Sequence, residues 1–144
     1  MPTVFRSMKA AADGFPIVGD QAKELGVRVP PNPHADIDVD STSNLVVWNG
    51  KGMSVVENWR LLAPHLIPVR LSAVVPKAKG LGNLRCYRLG DGAFASGFVA
   101  DGLKLVLKSG STMTGNIVPI TSVTVAEFQS DLATTRTLWV EDET

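Results

Sequence analysis

The stretch "GFVADGLKLVLK", residues 97–108, decides the fold class. Asp101-Gly102 is a two-residue turn of the kind that joins antiparallel strands, because Asp and Gly tolerate the positive φ such a turn demands. Beyond it, Leu103, Leu105 and Leu107 alternate with Lys104, Val106 and Lys108. That is the period of a strand with one buried face. Lys104 and Lys108 are expected to face water and blunt a sheet edge.

Outward toward the C-terminus, "NIVPI" reads as a further strand whose proline places it at an edge or a bulge. A helix follows. Thr124 and Glu127 form a T-x-x-E capping box, and Phe128, Leu132, Thr135 and Trp139 recur at three- and four-residue spacing, the stripe of a helix docked on a sheet. Toward the N-terminus lie "LRCYRL", "MSVV", "NLVVW" and "TVFRSM", all read as strands, with "NGKG" as the turn joining "NLVVW" to "MSVV". Asn58 can cap a single helical turn ahead of Pro64 and Pro68, and "GDQAKELG" predicts a helix of about two turns, with Asp20 as N-cap and Gly26 as stop. Between them, "VPPNPHADIDVDSTS" has no helical period and reads as a stiff extended connection. "VPKAKGLGN" reads as a basic loop. The sum is one α+β domain over residues 1–144, with a mostly antiparallel sheet and short helices near both ends.

Composition bounds what this domain does. Hydrophobic residues make up 44% and charged residues 19% of the 144, enough apolar surface to support a core. Fourteen basic and fourteen acidic residues cancel, which argues against a dedicated duplex-DNA binder. Two groupings stand out: a basic middle third (Arg60, Arg70, Lys77, Lys79, Arg85, Arg88), and acids at Asp36, Asp38, Asp40 and Glu141–Glu143. Both read as solvated surface. Cys86 is the only cysteine, so an internal disulfide, a multi-cysteine zinc site and a redox pair are excluded; in a strand it reads as a small core residue. No stretch has signal-peptide or membrane-spanning character, which predicts a protein made in the cytoplasm that would leave it only through a machine that ignores such signals.

Walker, G-x-G-x-x-G, G-x-S-x-G and H-E-x-x-H signatures are absent. What remains is Arg6 in the first strand and Ser54 opening a middle strand behind Gly50 and Gly52. Glycines let a backbone approach a ligand, a guanidinium pairs with a diphosphate or carboxylate, and a hydroxyl orients a ribose or amide. The set suits a nucleotide. On the residues alone, an exposed turn with a surface arginine is the better reading.

The succession "TVFRSM", "GDQAKELGVRV", "DIDVD", "GKGMSVV", "APHLIPVRL", "GNIVPI" and "FQSDLATTRTLW", from Thr3 to Trp139, resembles the small type VI secretion effector toxins with an ADP-ribosyltransferase-like fold. The resemblance implies a split β-sheet core, a cleft between two sheets holding NAD as substrate, and transfer of ADP-ribose to a cellular acceptor that it does not name. It also implies a cognate immunity protein. On it, Arg6 contacts the NAD phosphates and Ser54 orients the nicotinamide ribose, the two forming the catalytic pair. Gly50, Gly52, Met53 and His65 complete the NAD-binding set.

Two departures from the family pattern stand in this chain. Lys51 separates the two glycines, and Thr114 occupies the place of a histidine before the I-x-P strand. A late carboxylate to stabilise the ribosyl cation would have to be Glu127, whose capping-box reading is the stronger one. Two further readings stay open: a non-enzymatic binding module on the same fold, and an RNA-directed toxin using Arg85, Tyr87 and Arg88 as a stacking and phosphate surface.

Overall fold

A computed structural model describes residues 1–144. The elements run β1 (Val4–Lys9), β2 (Met53–Val56), β3 (Leu84–Leu89), β4 (Gly97–Ala100), β5 (Leu103–Leu107), β6 (Thr114–Pro119), α1 (Val125–Thr134) and β7 (Val140–Glu141). The strands form one seven-stranded sheet in the order β4-β5-β6-β2-β1-β3-β7, and every neighbouring pair is antiparallel. The chain is α+β in this coarse sense. The β4–β5 hairpin turns at Asp101-Gly102, with Gly102 at φ +77°. Leu103 and Leu105 are buried, as their alternation requires.

The edge expectations are corrected by the topology. β5 lies between β4 and β6, so Lys104 guards no edge; its ammonium sits 5.5 Å above the exposed Trp48 ring. Pro119 is on neither an edge strand nor a bulge. It closes β6 beyond Ile117, the last residue paired with β2, where a missing N–H breaks no ladder bond to that strand.

Period-two alternation divides the side chains between two cores. From β1, Val4 and Met8 enter the larger one with Met53, Val55, Leu103, Leu105 and Ile117, and α1 covers it through Phe128 and Leu132. Burial of each such side chain contributes roughly 1.5–3 kcal/mol. The predicted capping box forms: the Thr124 hydroxyl accepts from Glu127 N and the Glu127 carboxylate accepts from Thr124 N. Trp139, just past the helix, is buried and donates its indole N–H to Thr135 Oγ1 at 3.0 Å. Phe5, Val56 and Cys86 face the other side and are covered by Trp59, Ile67 and Ala78. That cover comes from residues 59–78, which include three short 3-10 turns at Trp59–Leu61, Pro64–Leu66 and Val69–Leu71, the first capped by Asn58 as expected. Pro64 and Pro68 start the second and third turns rather than ending a helix.

Two predicted elements are replaced. Residues 19–26 are not helical, so α1 is the only α-helix and helices do not stand at both ends. Their backbone groups are taken by distant partners: Lys23 O accepts from Lys9 N, Leu25 N donates to Ile17 O, and Lys23 turns left-handed at φ 68°. Gly26 ends no helix; a Cβ there would lie 1.9 Å from Gly19 O. "NLVVW" forms only isolated bridges, Leu45 to Thr124 and Val46 to Val39, so "NGKG" is not a hairpin turn. β2 pairs with β6 and β1 instead.

The charged clusters are also corrected. They are not separately solvated, because the C-terminal acids meet the basic middle segment: Arg70 with Glu143 at 2.7 Å, Arg88 with Asp142 at 2.9 Å and Arg85 with Glu141 at 3.6 Å.

Candidate functional site

β1 and β2 share a single registered pair, Phe5 with Val56, before the strands part. Beyond that point the segment 17–25 takes over the β1 edge, through Lys9 N to Lys23 O at 2.8 Å and Ile17 N to Lys9 O at 2.9 Å. Arg6 stands in the resulting fork. It shares parity with Val4 and Met8, the residues that enter the larger core, but lies at the margin of that core, where its guanidinium meets polar groups at a cleft. There it donates from Nη1 to Ser54 O at 2.9 Å and to Ser54 Oγ at 3.3 Å, and from Nη2 to Glu24 O at 3.1 Å. Arg6 clips β2 to the loop where the strand ladder fails.

A cleft of about 350 Å³ opens at this fork, within the range of ligand pockets, about 300–1,000 Å³. Arg6, Ser7 and Ser54 line its strand side, and Leu61, Leu62, Ala63, His65 and Leu66 of the 3-10 segment line one wall. Ser7 fastens that wall by donating its hydroxyl to Leu66 O at 2.6 Å. Ala22, Lys23, Arg28 and Asp36 also line the cleft.

The electrostatics are uneven. Asp36 is the only carboxylate on the lining, and Arg28 holds it in a fork through Nε at 3.2 Å and Nη2 at 2.9 Å, with the Arg28 backbone N–H at 2.8 Å. Arg6 and Lys23 have no ion-pair partner. Burial strips water from Arg6 and pushes its pKa down to about 10, against the opposing pull of Asp36. Its Nε is buried without a hydrogen-bond partner. A buried donor left without a partner is costly, and this one adjoins the cleft.

Of the residues singled out from the sequence, Arg6, Ser54 and His65 come together; Ser54 and His65 are exposed at the cleft. Gly50, Gly52 and Met53 do not join them. Gly50 lies at a separate surface hollow beside Trp48 and Lys104. Gly52 is buried against β6, where a Cβ would stand 2.2 Å from Ile117 O, and Met53 is a core side chain. These glycines serve strand packing and turn geometry, not the cleft. Glu127 is spent in its capping box and lines no cavity. Thr114 begins β6 and donates to Ser111 Oγ at 3.1 Å.

The surface proposed for RNA stacking is not available. Tyr87 is fully buried with its hydroxyl donating to Gly14 O at 2.8 Å, and Arg85 and Arg88 are paired to acids. Cys86 is buried, and burial raises its thiol pKa to about 12, so it is a core residue as expected. No three His, Cys, Asp or Glu side chains are grouped to hold a metal ion, and no helix is long and apolar enough to cross a membrane.

Lys23, Arg28 and Asp36 were missed as site residues in the sequence. The Asp36 alternation was visible, but its pairing with Arg28 across a proline-rich loop was not. The chain matches no protein-family model, no curated protein and no solved structure.

Proposed function

We propose that the β1–β2 fork binds an anionic nucleotide, that this nucleotide is NAD, and that the protein is a toxin transferring ADP-ribose from it to a cellular acceptor. One observation carries the binding part: Arg6 lines a ligand-sized cleft, partly buried, with its Nε lacking a hydrogen-bond partner and no carboxylate in ion-pair contact. A phosphate oxygen would supply the missing counter-charge. NAD as the ligand, the transfer and the toxin role rest on the sequence resemblance. In the transfer, the bond between C1′ of the ribose and the nicotinamide nitrogen breaks, nicotinamide leaves with the electron pair, and the acceptor's nucleophile bonds to C1′ as it gives up its proton. Ser54 Oγ, exposed beside Arg6, orients the ribose. A producer of such a protein needs an immunity partner that covers the cleft.

A second reading, binding without transfer, is favoured by one specific feature. The cleft's only carboxylate, Asp36, is engaged by Arg28 and does not face a ribosyl cation unopposed. The test is nicotinamide release from NAD by the purified chain, run beside calorimetric NAD binding, with Arg6→Ala and Ser54→Ala as controls. Release abolished in both variants supports transfer. Binding lost in Arg6→Ala with no release by the wild type supports the binding module. No binding and no release by the wild type refutes both.

A further inference from the structure

Lys23 reaches the cleft by an unusual backbone route. Its φ of 68° is a left-handed conformation, and only one other non-glycine residue, Asn44, has a positive φ. For a lysine this costs on the order of 1 kcal/mol, which glycine would avoid. The loop is held in that state from both sides. Lys23 O accepts from Lys9 N at 2.8 Å, and the next carbonyl, Glu24 O, accepts from Arg6 Nη2 at 3.1 Å. The Glu24 carboxylate turns back into its own loop, accepting from Gln21 N at 3.1 Å, and makes no ion pair with Lys23. The result is a half-buried lysine lining the same cleft as Arg6, one residue from the carbonyl that Arg6 grips.

The lining therefore carries two unpaired cations, Arg6 and Lys23, and one carboxylate already satisfied by Arg28. We infer that Lys23 is the second phosphate contact of the cleft and that, with Arg6, it makes the site select a diphosphate over a single phosphate. This rests on the anionic-nucleotide reading above and names the charge that reading did not use. A diphosphate carries its charge on two linked phosphoryl groups and can offer one to each cation, whereas a monophosphate places its charge on a single group that only one of them need engage.

Calorimetry on the full chain tests it, with inorganic pyrophosphate, inorganic phosphate, NAD and nicotinamide mononucleotide as probes. Lys23→Gly suits the left-handed backbone while removing the ammonium, and Lys23→Arg restores the charge. The wild type is expected to bind pyrophosphate at least about tenfold more tightly than phosphate. Lys23→Gly should lose roughly tenfold for pyrophosphate and NAD and little for phosphate and the mononucleotide, and Lys23→Arg should recover most of it. A Lys23→Gly variant that keeps the wild-type preference overturns the inference, as does an equal loss for all four probes. Pyrophosphate binding with the predicted Lys23 dependence but no NAD binding upholds the diphosphate selection and refutes NAD as ligand. Absence of binding by the wild type to every probe refutes both.

Discussion

Replacing Arg6 by Met separates a structural clip from a ligand contact, because the two roles differ in magnitude. The guanidinium makes two well-formed bonds to carbonyls, Ser54 O at 2.9 Å and Glu24 O at 3.1 Å. Charge-assisted hydrogen bonds of this type stabilise by about 1.5–3 kcal/mol each. Against them stands the burial of the charge. A guanidinium held down at about 10 is displaced from its usual value by an amount worth about 3 kcal/mol, at ~1.4 kcal/mol per pH unit. The two effects oppose each other, leaving a net contribution of about 0–3 kcal/mol. Arg6→Met keeps an unbranched side chain on the strand face shared with Val4 and Met8, and should unfold in urea within about 3 kcal/mol of the wild type, with an unchanged m-value. Its affinity for pyrophosphate should fall by more than about tenfold, the cost of losing a charged partner. A stability loss above about 4 kcal/mol together with unchanged anion binding would refute the reasoning: Arg6 would then be a strut and nothing more.

Three further outcomes follow from the geometry. Gly52→Ala should cost about 2–3 kcal/mol, read as a shift in the urea midpoint, because the new methyl would press on the Ile117 carbonyl and part β2 from β6; an unshifted midpoint would show that the strands yield. Cys86, buried with its thiol raised to about 12, should be alkylated by iodoacetamide only as fast as the chain unfolds, so rapid labelling in native buffer would contradict its placement. Asp142 accepts from the Thr144 hydroxyl and pairs with Arg88, which hold its carboxyl below the ordinary aspartate value of 3.8. Its contribution is present above that pH and is lost as acid protonates it in the fold. Asp142→Asn should therefore flatten the decline of the urea midpoint on acidification, and an identical decline would count against the ion pair.

The features legible in the chain are those closed within a few residues. Asp101-Gly102 and the leucine alternation after it specify a hairpin because turn and strand are both local, and the Thr124–Glu127 box marks a helix start by a bond spanning three residues. The burial of Trp139 and Cys86 followed from the same short-range patterns. Arg6 and Ser54 were legible as residue types. Their meeting was not a local matter, and neither was the failed helix at 19–26, where bonds to Lys9 and Ile17 outcompete a two-turn helix too short to be stable alone.

Tertiary structure decided whatever depended on contacts between distant segments. It turned two apparently solvated charge clusters into a seam, pairing Arg70 with Glu143 across more than seventy positions. It withdrew Gly50 and Met53 from the site and brought in Lys23, Arg28 and Asp36. The periodicity of side chains along a strand says which face each residue takes, but not where two strands cease to pair. In this protein the cleft exists because β1 and β2 part after one registered pair, and that parting depends on residues 17–25 competing for the same edge, a competition settled only when the whole sheet assembles.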